Sequence, residues 1–280
     1  MIAAHPPQNK AKDNRRYVAA ITGATGAIGK AIALRLAERQ GSEVVLLCRN
    51  EEKAKRAVQE IRRVTSNDKV RHEIVDVSRR ASIQDLAERW RGPLHILVNN
   101  AAVTPRRREE TPEGVELQFA TNVLGYFWMT QAFVEHLKQS APARVVNVAS
   151  YWAGDLDLAD LEFKARRYHN NEAYRQSKQA NRMLTVAFAE RLKPFGIYVY
   201  ACHPGNVNST LSNNLGFRGS ESPDEGARTP VWLAIGPVGK QSTGKYFEHM
   251  REVRCPFAEE RRAVEELYRT CARYCAEERT

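Results

Sequence analysis

The run Thr22-Gly23-Ala24-Thr25-Gly26-Ala27-Ile28-Gly29 constrains this chain more than any other stretch. An apolar segment, residues 17–22, leads into it, and a segment of helical period, residues 29–40, leads out. A strand that turns through glycines into a helix lets backbone N–H groups approach a pyrophosphate. The helix N-terminus adds the positive end of its dipole. A glycine-rich turn alone is a weak signal. The legible strand before it and helix after it make it stronger.

The rest of the chain repeats that alternation. Strands are predicted at 17–22, 44–48, 70–77, 95–99, 144–149 and 198–203. Helices are predicted at 29–40, 51–65, 82–91, 114–140 and 173–193. The strands are almost continuously apolar, as strands covered on both faces must be. Strand and helix in strict alternation imply a doubly wound α/β domain with a mostly parallel sheet. No linker interrupts the series, so residues 17–280 read as one domain behind a polar, flexible arm, residues 1–16. Residues 208–228, rich in Ser, Asn, Gly and Pro, read as a long mobile loop over the substrate side. Val264, Leu267, Tyr268, Cys271, Tyr274 and Cys275 share one face of a C-terminal helix, about residues 258–276, which reads as a docking face.

Composition narrows the function. With 42% hydrophobic residues in 280, a sizeable core is available. No apolar run nears the ~18 residues of a membrane-spanning helix, so no integral span is expected. The N-terminus lacks the apolar stretch of a secretory signal. A cytoplasmic location is the expectation, with an organellar signal left open. Five cysteines without finger spacing argue against zinc and for a reducing compartment. The chain carries 43 basic and 33 acidic residues, a net +10. These charges are scattered. Only Arg106, Arg107 and Arg108 form a block, and no aromatic residues interleave with it, so no nucleic-acid partner is expected. The basic excess suits a solvated surface and a phosphorylated cofactor.

The cofactor residues follow from strand ends. About twenty residues past the glycines, an NAD enzyme places an acid on the ribose hydroxyls. Here the second strand ends in Cys48, Arg49 and Asn50. Arg49 can pair bidentately with a 2′-phosphate that an acid would repel, so NADP(H) is preferred over NAD(H). Asp76 and Val77 end the third strand, where a carboxylate can accept the adenine amino group or cap the next helix. Asn99, Asn100, Ala101 and Ala102 end the fourth, small enough to let a ribose or ring lie against the backbone.

The chemistry is carried by Tyr174 and Lys178, four apart on a predicted helix and so on one face. A phenol has an ordinary pKa near 10 and is a poor base at neutral pH. A nearby ammonium stabilises phenolate, which makes the pair a proton-transfer device. Ser150 follows the fifth strand, where its hydroxyl can hold a substrate oxygen or simply close a turn. Asn122 lies inside a long helical stretch, where it can disturb the helix and expose a carbonyl to water.

Taken together, these motifs resemble the short-chain dehydrogenase/reductase superfamily from about residue 17 to the end. They are TGATGAIG at 22–29, Asp76-Val77, NNAA at 99–102, Asn122, Ser150, Tyr174-x-x-x-Lys178 and Pro204-Gly205. Within it the chain is similar to the retinol dehydrogenase-like and WW-domain oxidoreductase-like branch. LLCRN at 46–50, QFATNVLGYF at 118–127, SAPARVVNVAS at 140–150 and CHPGNVNS at 202–209 carry that likeness. The resemblance implies a Rossmann-type sheet of about seven strands flanked by helices. It implies interconversion of an alcohol and a carbonyl compound, with Tyr174 as general acid/base, Lys178 lowering its pKa and holding the nicotinamide ribose, Ser150 on the substrate oxygen and Asn122 positioning a relay water. Gly23, Thr25, Gly26, Ala27, Ile28 and Gly29 would bind the pyrophosphate side, with Arg49, Asn50, Asp76, Val77, Asn100, Ala101 and Ala102 along the adenosine and ribose. Pro204, Gly205, Val207 and Ser209 would lie by the nicotinamide.

The chain departs from the branch at Ala27 and Ala102, where glycine is usual, and at Ala149, where a first serine is usual. It shows neither membrane anchor nor WW module, so retinoid specificity is not carried over. The substrate is expected between Ser150, Tyr174 and residues 208–218, with Tyr151 and Trp152 as walls. The alternative is a non-catalytic NADP(H)-binding regulator or scaffold, but such relatives commonly lose the tyrosine or the lysine. A sugar-nucleotide epimerase usually needs a larger C-terminal domain than the about 75 residues left after Gly205. A homo-oligomer is compatible with the fold.

Overall fold

The computed structural model describes residues 16–39 and 41–276. The N-terminal arm expected at 1–16 lies outside them except for Arg16. Eight strands form one sheet: β1 (Val18–Thr22), β2 (Glu43–Cys48), β3 (Val70–Ile74), β4 (Ile96–Asn99), β5 (Ala143–Val148), β6 (Ile197–Cys202), β7 (Tyr246–Glu248) and β8 (Arg251–Val253). Their order is β3-β2-β1-β4-β5-β6-β7-β8. Every pairing is parallel except β7 with β8. The direction of strand addition reverses between β1 and β4. In a doubly wound sheet that reversal opens a crevice at the strand C-termini.

The helices are α1 (Ala27–Ala37), α2 (Glu51–Thr65), α3 (Arg80–Arg89), α4 (Leu117–Phe119), α5 (Gly125–Ala132), α6 (Val134–Gln139), α7 (Asn170–Leu192), α8 (Thr210–Asn214), α9 (Pro223–Ile235) and α10 (Arg261–Ala276). One face of the sheet is covered by α1, α2 and α9, which supply Ile32, Leu36, Val58, Ile61 and Leu233 to its core. The other is covered by α3, α5, α7 and α10, which supply Leu86, Phe127, Phe188 and Leu267. Alternate residues of each strand feed the two cores: in β1, Ala19 and Ile21 face the first, Val18 and Ala20 the second. The two-sided burial explains why the central strands β1, β2, β4, β5 and β6 read as nearly continuous apolar runs.

The expected fold class holds, and four details of it are revised. The sheet has eight strands, not about seven, because the chain turns back after β7 through His249 and Met250, both at positive φ, and pairs β8 antiparallel. The helix expected over 114–140 is broken. A π-helical turn, Ala120–Leu124, follows α4, and Phe133 separates α5 from α6. Residues 208–228 are not one loop. Ser209 and Ser222 each close a capping box that starts α8 and α9. The C-terminal helix starts at Arg261, after a 3-10 turn at Pro256–Ala258.

Candidate active site at the sheet crevice

The glycine turn is held by contacts that leave no room for side chains. Gly23 has φ +65, and a Cβ on it would come within 2.8 Å of the Ala101 Cα. A Cβ on Gly29 would meet the Gly23 carbonyl at 2.4 Å. Thr22 fastens the turn to β4 from below. Its Oγ1 accepts the N–H groups of Asn100 and Ala101 at 2.8 and 3.0 Å, and its carbonyl accepts from Asn100 Nδ2 at 2.9 Å. Gly26 is the N-cap of α1, so Ala27 is an ordinary first helical residue.

Above this turn lies a cleft of about 510 Å³. Gly23, Thr25, Gly26, Ala27, Ile28, Gly29, Arg49, Asn50, Asp76, Val77, Asn100, Ala101, Ala102 and Ser209 all border it, as the sequence predicts. No side chain caps α1 among the described residues, which leaves its first-turn N–H groups to a ligand anion. An uncapped N-terminus, side-chain-free glycines and exposed Arg49 together fit a phosphorylated dinucleotide. Asp76 has two duties. Its Oδ1 accepts from the Ser78 N–H and hydroxyl at 3.0 and 2.7 Å, which closes a turn ahead of α3 and does not cap the helix, and it also borders the cleft. Of the expected cofactor residues, Tyr174 and Lys178 do not border this cleft, and neither do Pro204, Gly205 and Val207. The last three shape the loop after β6, where Gly205, at φ +118, makes room for the Glu221 carboxylate and Val207 bridges to Glu221.

The catalytic candidates converge beside the end of β5. Tyr174 and Lys178 lie one turn apart on α7, both buried. Lys178 Nζ donates to the Val148 carbonyl at 2.9 Å, and the Tyr126 hydroxyl donates to the same oxygen at 3.2 Å. Nζ sits 5.5 Å from the ring centroids of both Tyr126 and Tyr174. Ser150 is two residues past β5, and its Oγ accepts from the Trp152 N–H at 3.1 Å. Asn122 sits in the π-helical turn, a feature frequent at functional sites. Its side-chain amide clasps the Val103 backbone, accepting from the N–H at 2.9 Å and donating to the carbonyl at 3.0 Å. It also lies 3.3 Å from Ser177 Oγ. Asn122 thus ties the helix carrying it to both the loop after β4 and α7.

The electrostatics follow from dryness. Burial pushes the Tyr174 phenol up to about 12, and hydrogen bonding to Ser150 works the other way. Burial pulls the Lys178 ammonium down to about 7. The sequence argument has the lysine lowering the tyrosine; here Tyr174 is instead raised by burial, with Ser150 and Tyr151 as the smaller influences, and it rests as a phenol. Trp152 stands over it, with ring centroids 6.0 Å apart, and Phe217 lies 5.6 Å beyond Trp152. Tyr151 packs edge-on against His203 at 4.7 Å. Among the described residues, no cluster of three or more His, Cys, Asp or Glu could hold a metal.

Several cleft residues escape the sequence argument: Lys53, Val103, Thr121, Thr210 and Leu211. Lys53 was legible. Its N–H donates to Asn50 Oδ1 at 2.8 Å, so Asn50 caps α2, and its place in the first turn puts it beside Arg49. Thr210 and Leu211 open α8, announced by the serines of its capping box.

A model of the family described as short chain dehydrogenase matches residues 17–217. Retinol dehydrogenase 13 of Mus musculus is 35% identical over 274 residues, covering 90% of this chain and 82% of that protein. An uncharacterised protein from Mycobacterium Paratuberculosis has a similar crystal structure, with TM-score 0.76, 26% identity and coverage of 92% and 93%. Actinorhodin polyketide ketoreductase with NADPH gives TM-score 0.63 at 26% identity, covering 84% of this chain and 95% of that one. With the crevice, the Asn-Ser-Tyr-Lys set and these likenesses in agreement, the chain belongs to the short-chain dehydrogenase/reductase superfamily, in its retinol dehydrogenase-like branch.

Proposed function

We propose that this protein is an NADP(H)-dependent oxidoreductase that interconverts an alcohol and a carbonyl compound, with Tyr174 as general acid/base. The observation that carries the reading is the placement of Tyr174, Lys178 and Ser150 beside the end of β5, with Asn122 linking Ser177 of the same helix to Val103 on the wall of the cleft that Arg49 borders. Arg49 and Lys53 would hold a 2′-phosphate, and the α1 N-terminus the pyrophosphate. The bound nicotinamide would supply or take up the hydride. The protein's own part is the proton. In the reductive direction Tyr174, kept a phenol by burial, gives its proton to the carbonyl oxygen while Ser150 Oγ donates a hydrogen bond to that oxygen. The phenolate left behind faces Lys178, whose Nζ is 5.5 Å from its ring. In oxidation the same atoms run in reverse. Trp152 and Phe217 wall the approach and exclude water, which strengthens each of these interactions. The likeness to retinol dehydrogenase 13 and to a ketoreductase that binds NADPH supports the reaction type and the cofactor.

The test is purified protein with NADPH against aldehydes, ketones and quinones. Tyr174→Phe is expected to lower turnover by ~10²- to 10⁴-fold, the usual worth of a general acid, and to leave NADPH binding in place. No turnover across the panel, with a Tyr174→Phe variant indistinguishable from wild type, would overturn the reading.

A further inference from the structure

One buried cation stands outside the mechanism above. Arg182 is 7% exposed and lies two turns beyond Tyr174 on α7. Tyr174, Lys178 and Arg182 are therefore successive rungs of one helix face. Each reaches the segment leaving β5. Tyr174 meets the Ser150 hydroxyl, Lys178 holds the Val148 carbonyl, and Arg182 Nη2 donates to the Ser150 carbonyl. Ser150 is thus gripped through its side chain by one rung and through its backbone by another.

The guanidinium is itself held in place. It stacks on the Tyr246 ring, with Cζ 3.6 Å from the centroid, and Phe257 lies 5.7 Å away on a second side. The Tyr246 hydroxyl donates to Glu248 Oε1 at 2.7 Å, which fixes that ring in turn. Arg182 Nε has no hydrogen-bond partner among the described residues. A buried guanidinium with an idle donor is costly. A leucine or methionine could fill the same volume without that cost. Among the described residues, the guanidinium's one hydrogen bond goes to the Ser150 carbonyl.

We propose that Arg182 is a positioning residue: it fixes the backbone of Ser150 so that the serine hydroxyl, shared between Tyr174 and the Trp152 N–H, points at the substrate oxygen. The proposal rests on the assignment of Ser150 made above. Planar, donor-rich and permanently charged, arginine suits a carbonyl that must not swing, and stacking on Tyr246 sets its angle. A serine loop released from this grip loses orientation, and a displacement of ~1 Å costs up to ~100-fold in rate.

The experiment is a double-mutant cycle on carbonyl reduction with NADPH, using Arg182→Met, Ser150→Ala and the pair. Arg182→Met is expected to lower kcat by ~10- to 100-fold, with the dissociation constant for NADPH unchanged. In the Ser150→Ala background the same change is expected to have no further effect, because its route to the reaction is gone. Arg182→Lys, which keeps a cation on the helix face, is expected to recover part of the rate. Hydrogen exchange reads the same grip without turnover: the Trp152 amide is expected to exchange faster in Arg182→Met while the glycine turn stays protected. A folded Arg182→Met with wild-type kcat, with equal losses in both backgrounds, or with unchanged Trp152 exchange overturns the proposal alone. A Ser150→Ala variant at wild-type rate overturns it together with the assignment of the serine.

Discussion

At the scale of single residues, the site is a set of polar groups drawn out of water and given specific partners. Asn122, Ser150, Tyr174 and Lys178 are all buried, and each is spoken for by a backbone group or a neighbouring side chain. Tyr174 and Lys178 were legible in the sequence from their spacing on one helix face, and Asn122 and Ser150 through the family resemblance. Arg182 was not. Nothing in its local sequence distinguishes it from an exposed arginine on α7, and its role depends on Tyr246, which comes from a different strand. Cofactor preference belongs to this scale as well. Arg49 is exposed at the rim of the cleft, where under the proposed function its charge would favour a phosphorylated over a free ribose. Arg49→Asp is expected to weaken NADPH binding by ~10- to 100-fold, the worth of a charge-assisted pair, and to weaken NADH binding far less. Thermal shifts with each cofactor measure both. A wild-type protein shifted more by NADH than by NADPH would contradict the reading.

At the scale of elements, alternation made six strands predictable: five are short apolar runs beside a helix of clear period, and β3, VRHEI, was legible from its place between two helices. β7 and β8 were missed because they are three residues each and carry no such run. The helix predicted over 114–140 was overdrawn. Apolar residues continue through it, but Asn122 opens the π-helical turn and Phe133 breaks the axis. Glu116 starts this element. Its carboxylate accepts from the N–H groups of Gln118 and Phe119 at 2.8 and 2.6 Å, while Glu162 Oε2 accepts from its own N–H at 3.1 Å. Burial raises Glu116 to about 7. A raised carboxyl means that the folded protein holds a proton the unfolded chain releases above its ordinary value of 4.5. That contribution to stability is therefore complete at low pH and is lost as pH rises from about 4.5 towards 7. Glu116→Gln, which cannot titrate, is expected to flatten this fall in denaturant midpoint between those values. An unchanged slope would place the titration elsewhere.

At the scale of the whole molecule, the C-terminal part completes the enclosure of α7. Val264, Leu267 and Cys271 of α10 are buried in the core shared with α7, and Tyr268 packs on Phe127 and Phe188. Arg191 of α7 reaches Glu265 of α10 at 2.6 Å. The helical spacing of these residues made the docking face readable; which helix receives it was set by topology and was not. Leu267→Ala is expected to destabilise the protein by about 2–5 kcal/mol, the range for emptying a well-packed leucine site. Urea unfolding checks the loss, and a change below ~1 kcal/mol would mean the cavity collapses or α10 docks loosely.

The reversed strand that ends the sheet has a bearing on how this protein behaves in a crowd. β8 is three residues long, all exposed, and its Arg251 and Glu252 bring opposite charges to one rim. At the far rim, β3 bears Arg71, His72 and Glu73, with Arg71 engaged by Glu43 and Glu73. Short, charged rims are poor templates for a strand from another molecule, because each new pairing would strip water from those charges. The sheet is in that sense finished at both ends, and the aggregation that threatens a broad open sheet has little purchase on either margin.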